Sequence, residues 1–195
     1  MTNLTLEYPN GYKDELPNEI LDGIIYPMAR PGAGHIDVAY NISSIFKNYL
    51  KTKLCRAYIE PYVYFEKDDQ VIPDVAIICD LERWEGYKYC GVPALVVEIL
   101  SRSTSKRDKG YKKDLYERHG VQEYWIVEVA SQTIEVYLLK DDKYILSNVY
   151  AELKDWEIES LSEKEREKFS LTFKVHLYDD FVIDVREVFE DVGEY

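Results

Sequence analysis

Two carboxylates and one lysine carry the chemistry that this sequence can offer. Asp74 follows Pro73 at the start of the apolar segment VIPDVAIIC, residues 71–79. Glu98 sits inside VPALVVEIL, residues 92–100, which is otherwise a continuous apolar run. An unpaired charge in a buried strand is costly unless a partner or a metal neutralises it. If the two segments pair as antiparallel strands, both carboxylates meet on one face. Two oxygen donors of this kind suit Mg²⁺ or Mn²⁺, which favour carboxylates and water. Lys112 is the third member. In a helix over residues 106–119, Asp108, Lys112 and Tyr116 stand one turn apart on one face. A helix that follows the Glu98 strand can lay that face across the carboxylates. A lysine near a metal-bound water orients the nucleophile or stabilises charge on a phosphate.

Each residue also has a plainer reading. Pro-Asp at a strand start is a common turn feature. Glu98 could serve a buried ion pair with Lys or Arg. Lys112 alone would be a solvated helix charge, and Lys113, about 100° further round the helix, is its nearest rival. Tyr116 could hydrogen-bond Glu98 or Asp74, or simply pack. Glu60, on the strand before Asp74, could add a third carboxylate or lie on the surface. Tyr124 and Trp125 read as core or interface aromatics. Ser101 and Ser103 could contact phosphate or cap the following helix. Arg102, Lys106 and Arg107 could line a nucleic-acid groove or belong to a solvated loop.

The elements that must position these groups can be read from the pattern. EILDGIIYPMAR, residues 19–30, reads as a strand pair turning at Gly23. Residues 29–34 are a loop. Residues 36–50 place Val38, Ile42, Ile45, Phe46 and Tyr49 at helical spacing. YIEPYVYFE, 58–66, reads as one strand with an edge or bulge at Pro61, and 71–79 as another. Residues 80–91 form a polar loop. The Glu98 strand is apolar on both faces, as a central strand is. Gly120 stops the helix that follows. Residues 123–129 and 133–140 are two strands joined by a short turn. Residues 157–168 are charged and helical. The chain closes as a strand followed by a short helix. With no internal repeat and no clear linker, residues 1–195 read as a single domain with an acidic segment from about 150.

Composition sets outer limits. The 195 residues are 46% apolar and carry a net charge of −13. That charge argues against a protein that coats nucleic acid without specificity. It is unevenly spread: residues 141–195 hold 16 acidic and 7 basic side chains, whereas residues 102–113 hold six basic ones and a single acid, Asp108. No apolar run approaches a membrane span, and MTNLTLEYPN lacks the features of a signal peptide. Cys55, Cys79 and Cys90 show no CxxC spacing and read as free thiols in a reducing cytoplasm.

The run PDVAII, then VPALVVEILSRSTSKRDKGYKKDLYERHGVQEYWIVE, resembles the Uma-two family of restriction endonucleases, within the PD-(D/E)xK nuclease superfamily. The matching signals are PD, then VEILS, then D-x-x-x-K-x-x-x-Y, then GVQEYWIV. EILDGIIYPMARPGAGH resembles the family's amino-terminal Gly turn and His-initiated helix, and LYDDFVIDVREVF its closing segment. The resemblance spans roughly residues 19–189. It implies an α/β (α+β) restriction-endonuclease-like fold, a mixed β-sheet flanked by helices. It implies that Asp74, Glu98 and the backbone carbonyl of Ile99 hold Mg²⁺ or Mn²⁺, and that DNA is the substrate. It also marks His35, which could contact phosphate, support the metal ligands, or serve only as a polar residue at the helix start. The superfamily places a lysine two residues after the Glu. Leu100 stands there, so the resemblance assigns the lysine's role to Lys112. A homodimer is compatible, because duplex cleavage needs two sites, though no interface is readable. Two other readings stand beside the metal-dependent endonuclease. One is a binding or interaction module that keeps the nuclease fold without catalysis. The other is a two-carboxylate hydrolase acting on a non-nucleic substrate.

Overall fold

A computed structural model describes residues 17–100, 108–166 and 169–193. Its centre is strand β9, Leu95–Leu100, with all six residues buried. That burial explains the unbroken apolar run. β9 pairs in parallel with β10, Glu123–Glu128, and antiparallel with β6, Val75–Ile78. β3, Arg56–Ile59, lies outside β6. On the other side β11, Thr133–Lys140, and β12, Lys143–Ala151, complete a mixed six-stranded sheet.

A second six-stranded sheet holds the hairpin β1, Asn18–Leu21, and β2, Ile24–Pro27. It continues through β5, Asp69–Val71, and β4, Tyr62–Glu66, to β8, Lys88–Tyr89, and β7, Trp84–Glu85. The hairpin turns through Asp22 and Gly23, both at positive φ, the left-handed region where glycine carries no Cβ penalty. YIEPYVYFE is not one strand. Glu60 takes a left-handed φ of 47°, and the chain switches there from β3 in the first sheet to β4 in the second. The residues from 71 divide likewise, into the end of β5 and the whole of β6.

Alternation along the strands sorts side chains onto two cores. The odd-numbered residues of β9, with Val75, Ile77, Trp125 and Val127, pack against helix α1, Ala33–Leu50. The same core takes in the carboxy-terminal segment through Phe173, Phe181 and Ile183. The even-numbered residues, with Ala76 and Ile126, pack against Leu21, Val63 and Val71 of the second sheet and against helix α2, Lys113–Arg118. The mixed sheet therefore has a helix on one face, as expected, and a sheet plus a short helix on the other. A π-helical turn, Asp108–Lys112, leads into α2. The acidic tail forms short helices at Asp155–Ser160 and Glu163–Arg166, then a small hairpin, β13, Thr172–Lys174, with β14, Val182–Asp184. No helix among the described residues is long and apolar enough to cross a membrane.

The cysteine expectation needs correction. Cys55 and Cys79 are disulfide-bonded, and Cys90 is free. The pairing of Arg56 with Ile78 between β3 and β6 puts the two cysteines opposite each other, one residue further along. Their separation of 24 residues hides this in the sequence. The cysteines therefore give no argument for a reducing compartment.

Glu123 ties the sheet to the tail. Its buried carboxylate accepts from Trp125 Nε1 at 2.8 Å and from the His176 N–H at 2.9 Å. Burial pushes its pKa up to about 7, against the pull of these donors. The folded protein then holds a proton that the unfolded chain releases at the ordinary glutamate value. Its stabilising contribution is present in acid and is lost as pH rises towards about 7. The stability of the wild type relative to Glu123→Gln, from urea unfolding, should fall by roughly 3 kcal/mol between about pH 4.5 and pH 7. A difference that stays flat over that range would contradict this role.

Candidate metal centre

The site forms where β6, β9 and the helix after β9 converge. Asp74 immediately precedes β6. The register that pairs Val75 with Val97 places the Asp74 backbone, at a bend before β6, across from Glu98 and one residue beyond the ladder. Asp74 is buried and held from two sides. Its Oδ2 accepts the N–H of Ile99 at 2.6 Å, and His35 Nε2 lies 2.9 Å from its Oδ1. His35 reaches it from the first turn of α1. The Asp74 carbonyl accepts the Glu60 N–H at 3.0 Å. Glu60 thus supports Asp74 through its backbone, while its side chain is exposed to solvent.

Glu98 is 3% exposed. Its Oε1 accepts from Lys112 Nζ at 2.9 Å and from the Tyr116 hydroxyl at 2.7 Å. Lys112 and Tyr116 are four residues apart and share the helix face that crosses the sheet. Burial, and then the Glu98 charge, raise the Tyr116 pKa well above its ordinary value, so the phenol stays protonated and donates. Leu100 lies on the Glu98 face and is buried in the second core. The ammonium instead arrives from the following helix. Lys113 points elsewhere, with its Nζ 3.9 Å from the centre of the Tyr137 ring. Lys112, and not Lys113, is therefore the lysine that meets Glu98.

Sequence reasoning overlooked Glu19. It lies on β1, is 2% exposed, and its Oε1 sits 2.7 Å from Lys112 Nζ. The same oxygen accepts the N–H of Ile72 at 3.0 Å. Lys112 is thus a buried ammonium between two carboxylates. The available signal was phase. Glu19 and Leu21 are two residues apart on a strand, so both face the core.

The helix that delivers Lys112 is fixed at its far end by another overlooked group. Asp69, 1% exposed, accepts from Arg118, His119 and the N–H of Asp22. Against the cost of burial, His119 and Arg118 hold its carboxyl below the ordinary value. Glu66, Asp69 and His119 could offer ligand atoms within 4.8 Å of one another. Asp69, however, already serves the Arg118 cation. That cluster locks α2 to the β1–β2 turn. Glu117 adds a tie to β12 through Lys143 and the N–H of Tyr144.

The expected phosphate contacts Ser101, Arg102, Ser103, Lys106 and Arg107 lie outside the described residues. Of the remaining basic patch, Lys109 pairs with Glu135 at 2.9 Å.

Comparison with known proteins agrees with this architecture. The sequence model of the Uma2 family, described as "Putative restriction endonuclease", matches residues 5–172. Two proteins of Synechocystis sp. strain PCC 6803, both described as uncharacterised, are similar in sequence. One is 30% identical over 128 residues, 64% of this chain and 67% of the relative. The other is 23% identical over 141 residues, 69% and 80% respectively. In structure, the chain is similar to one from Anabaena variabilis ATCC 29413, described as "a putative nuclease belonging to DUF820". That likeness has a TM-score of 0.72 at 18% identity and covers 93% of this chain and 94% of the other. It shows a shared nuclease-like fold. With the family model matched over most of its length, the chain belongs to the Uma2 family.

Proposed function

We propose that this protein is a divalent-metal-dependent endonuclease that hydrolyses phosphodiester bonds in DNA. The observation that carries the reading is the reach of Lys112. Its Nζ lies 2.9 Å from Glu98 although the usual lysine position holds Leu100. Two carboxylates at facing positions of neighbouring chain segments, one of them with an ammonium beside it, supply the charges that phosphoryl chemistry needs.

The donor set fits Mg²⁺ or Mn²⁺. Asp74 and Glu98 offer hard oxygen ligands. The Ile99 carbonyl is the third. The N–H of Ile99 points to the Asp74 side of β9, and the N–H and C=O of one strand residue leave on the same side. When bound, such an ion lowers the pKa of its water and offsets charge on a phosphate oxygen. The chain's own groups do the rest. His35 and the Ile99 N–H fix the orientation of Asp74. Tyr116 holds Glu98 by donating to it. The Lys112 ammonium stands where it can orient the attacking water and stabilise charge on the phosphate. A homodimer, with one site for each strand of a duplex, fits the same chemistry.

One observation favours a second reading, a nuclease fold retained for binding alone. Lys112 is engaged by two carboxylates, and the whole chain carries a charge of −13. Supercoiled plasmid separates the two. With Mg²⁺ or Mn²⁺ the wild type should nick it, and Glu98→Ala or Lys112→Met should slow nicking by about a hundredfold or more. Lys112→Met also leaves Glu19 and Glu98 facing each other without a cation, so urea unfolding should show a loss of about 3–5 kcal/mol. Full nicking by Glu98→Ala, or none by the wild type with either metal, would overturn the endonuclease reading.

A further inference from the structure

Glu19 takes no part in the ligand set above, yet it shares the lysine on which that reading depends. One oxygen, Oε1, receives both the Lys112 ammonium and the Ile72 N–H. The ammonium also contacts Glu98 Oε1. A single positive charge is therefore divided between carboxylates from different sheets, on β1 and on β9.

This division has an electrostatic consequence. A lysine paired with Glu98 alone would cancel the charge that a divalent cation needs from that ligand. Shared with Glu19, it cancels only part. Among the described residues, Asp74, Glu98, Glu19 and Lys112 together carry a formal charge of −2, which complements a divalent ion. As an acceptor for the Ile72 N–H alone, Glu19 would not need a charge; the charge serves the buried Lys112 ammonium. The Ile72 N–H needs only an acceptor, which an amide oxygen supplies equally well.

We infer that Glu19 is a positioning residue: it shares the Lys112 ammonium with Glu98, so that the ammonium stays in the site while Glu98 keeps charge to bind a divalent cation. The inference rests on the metal-dependent reading of the site. It assigns a role to the residue that the ligand set leaves out.

Calorimetric titration of the full chain with Mn²⁺ tests it, using wild type, Glu19→Gln, Glu19→Asp and Glu98→Gln. Glu19→Gln keeps the acceptor for Ile72 and should melt within a few degrees of wild type. Its Mn²⁺ affinity should fall about tenfold or more, because the shared charge is gone. Glu19→Asp restores the charge and should recover the affinity to within about threefold. Wild-type affinity in Glu19→Gln, or no recovery in Glu19→Asp, would overturn the inference. A wild type that binds no Mn²⁺, or a Glu98→Gln that binds like wild type, counts instead against the metal-site reading. In that case the ¹⁵N signal of the Lys112 ammonium decides the lysine-holding role. A changed signal in Glu19→Gln supports it, and an unchanged one overturns it.

Discussion

The buried ammonium of Lys112, held between Glu19 and Glu98, is the contact around which the two sheets are organised. Three charged side chains, each under 5% exposed, meet in an interior that would strongly penalise any one of them alone. Each is tolerated because the others are there. β1 brings Glu19 from the second sheet, β9 brings Glu98 from the first, and the helix after β9 inserts the lysine. Removing the cation would set two carboxylates against each other. Removing either carboxylate would tie the lysine to the one that remains. Apolar side chains could fill the same space without the desolvation cost.

The surrounding structure secures that contact from several directions. Tyr116 donates to the same Glu98 oxygen as the lysine, one helical turn further on. Arg118 and His119, just beyond, bind the buried Asp69 on β5 and close on Asp22 at the hairpin turn. The hairpin thus grips the helix at two places, through Glu19 and through Asp22. Asp74 belongs to a different set of restraints, from α1 through His35 and from β9 through the Ile99 N–H. The two carboxylates are therefore positioned independently.

How much of this could be read from sequence depended on range. Glu98 announced itself because a carboxylate in an unbroken apolar run demands a partner. Lys112 and Tyr116 followed from helical spacing, a local rule that holds even though the preceding turn is π-helical. For Glu98, the plain alternative of a buried ion pair is what the structure shows, with Lys112 as the partner. What stayed hidden was long-range. Glu19 meets Lys112 only because the second sheet folds onto the first. Cys55 meets Cys79 only because β3 lies beside β6. Residues 58–66 read as one strand because the left-handed turn at Glu60 carries no glycine to mark it. β12 went unread because its apolar residues, Ile145, Leu146 and Val149 among them, are exposed and follow no burial pattern.

The central claim is the proposal that Asp74 and Glu98 together hold a divalent cation beside Lys112. Anomalous scattering from crystals soaked in Mn²⁺ tests it most directly. The account predicts a peak with oxygens of Asp74, Glu98 and the Ile99 carbonyl within about 2.5 Å. A peak at Glu66, Asp69 and His119 instead, with the Asp74–Glu98 site empty, would contradict it.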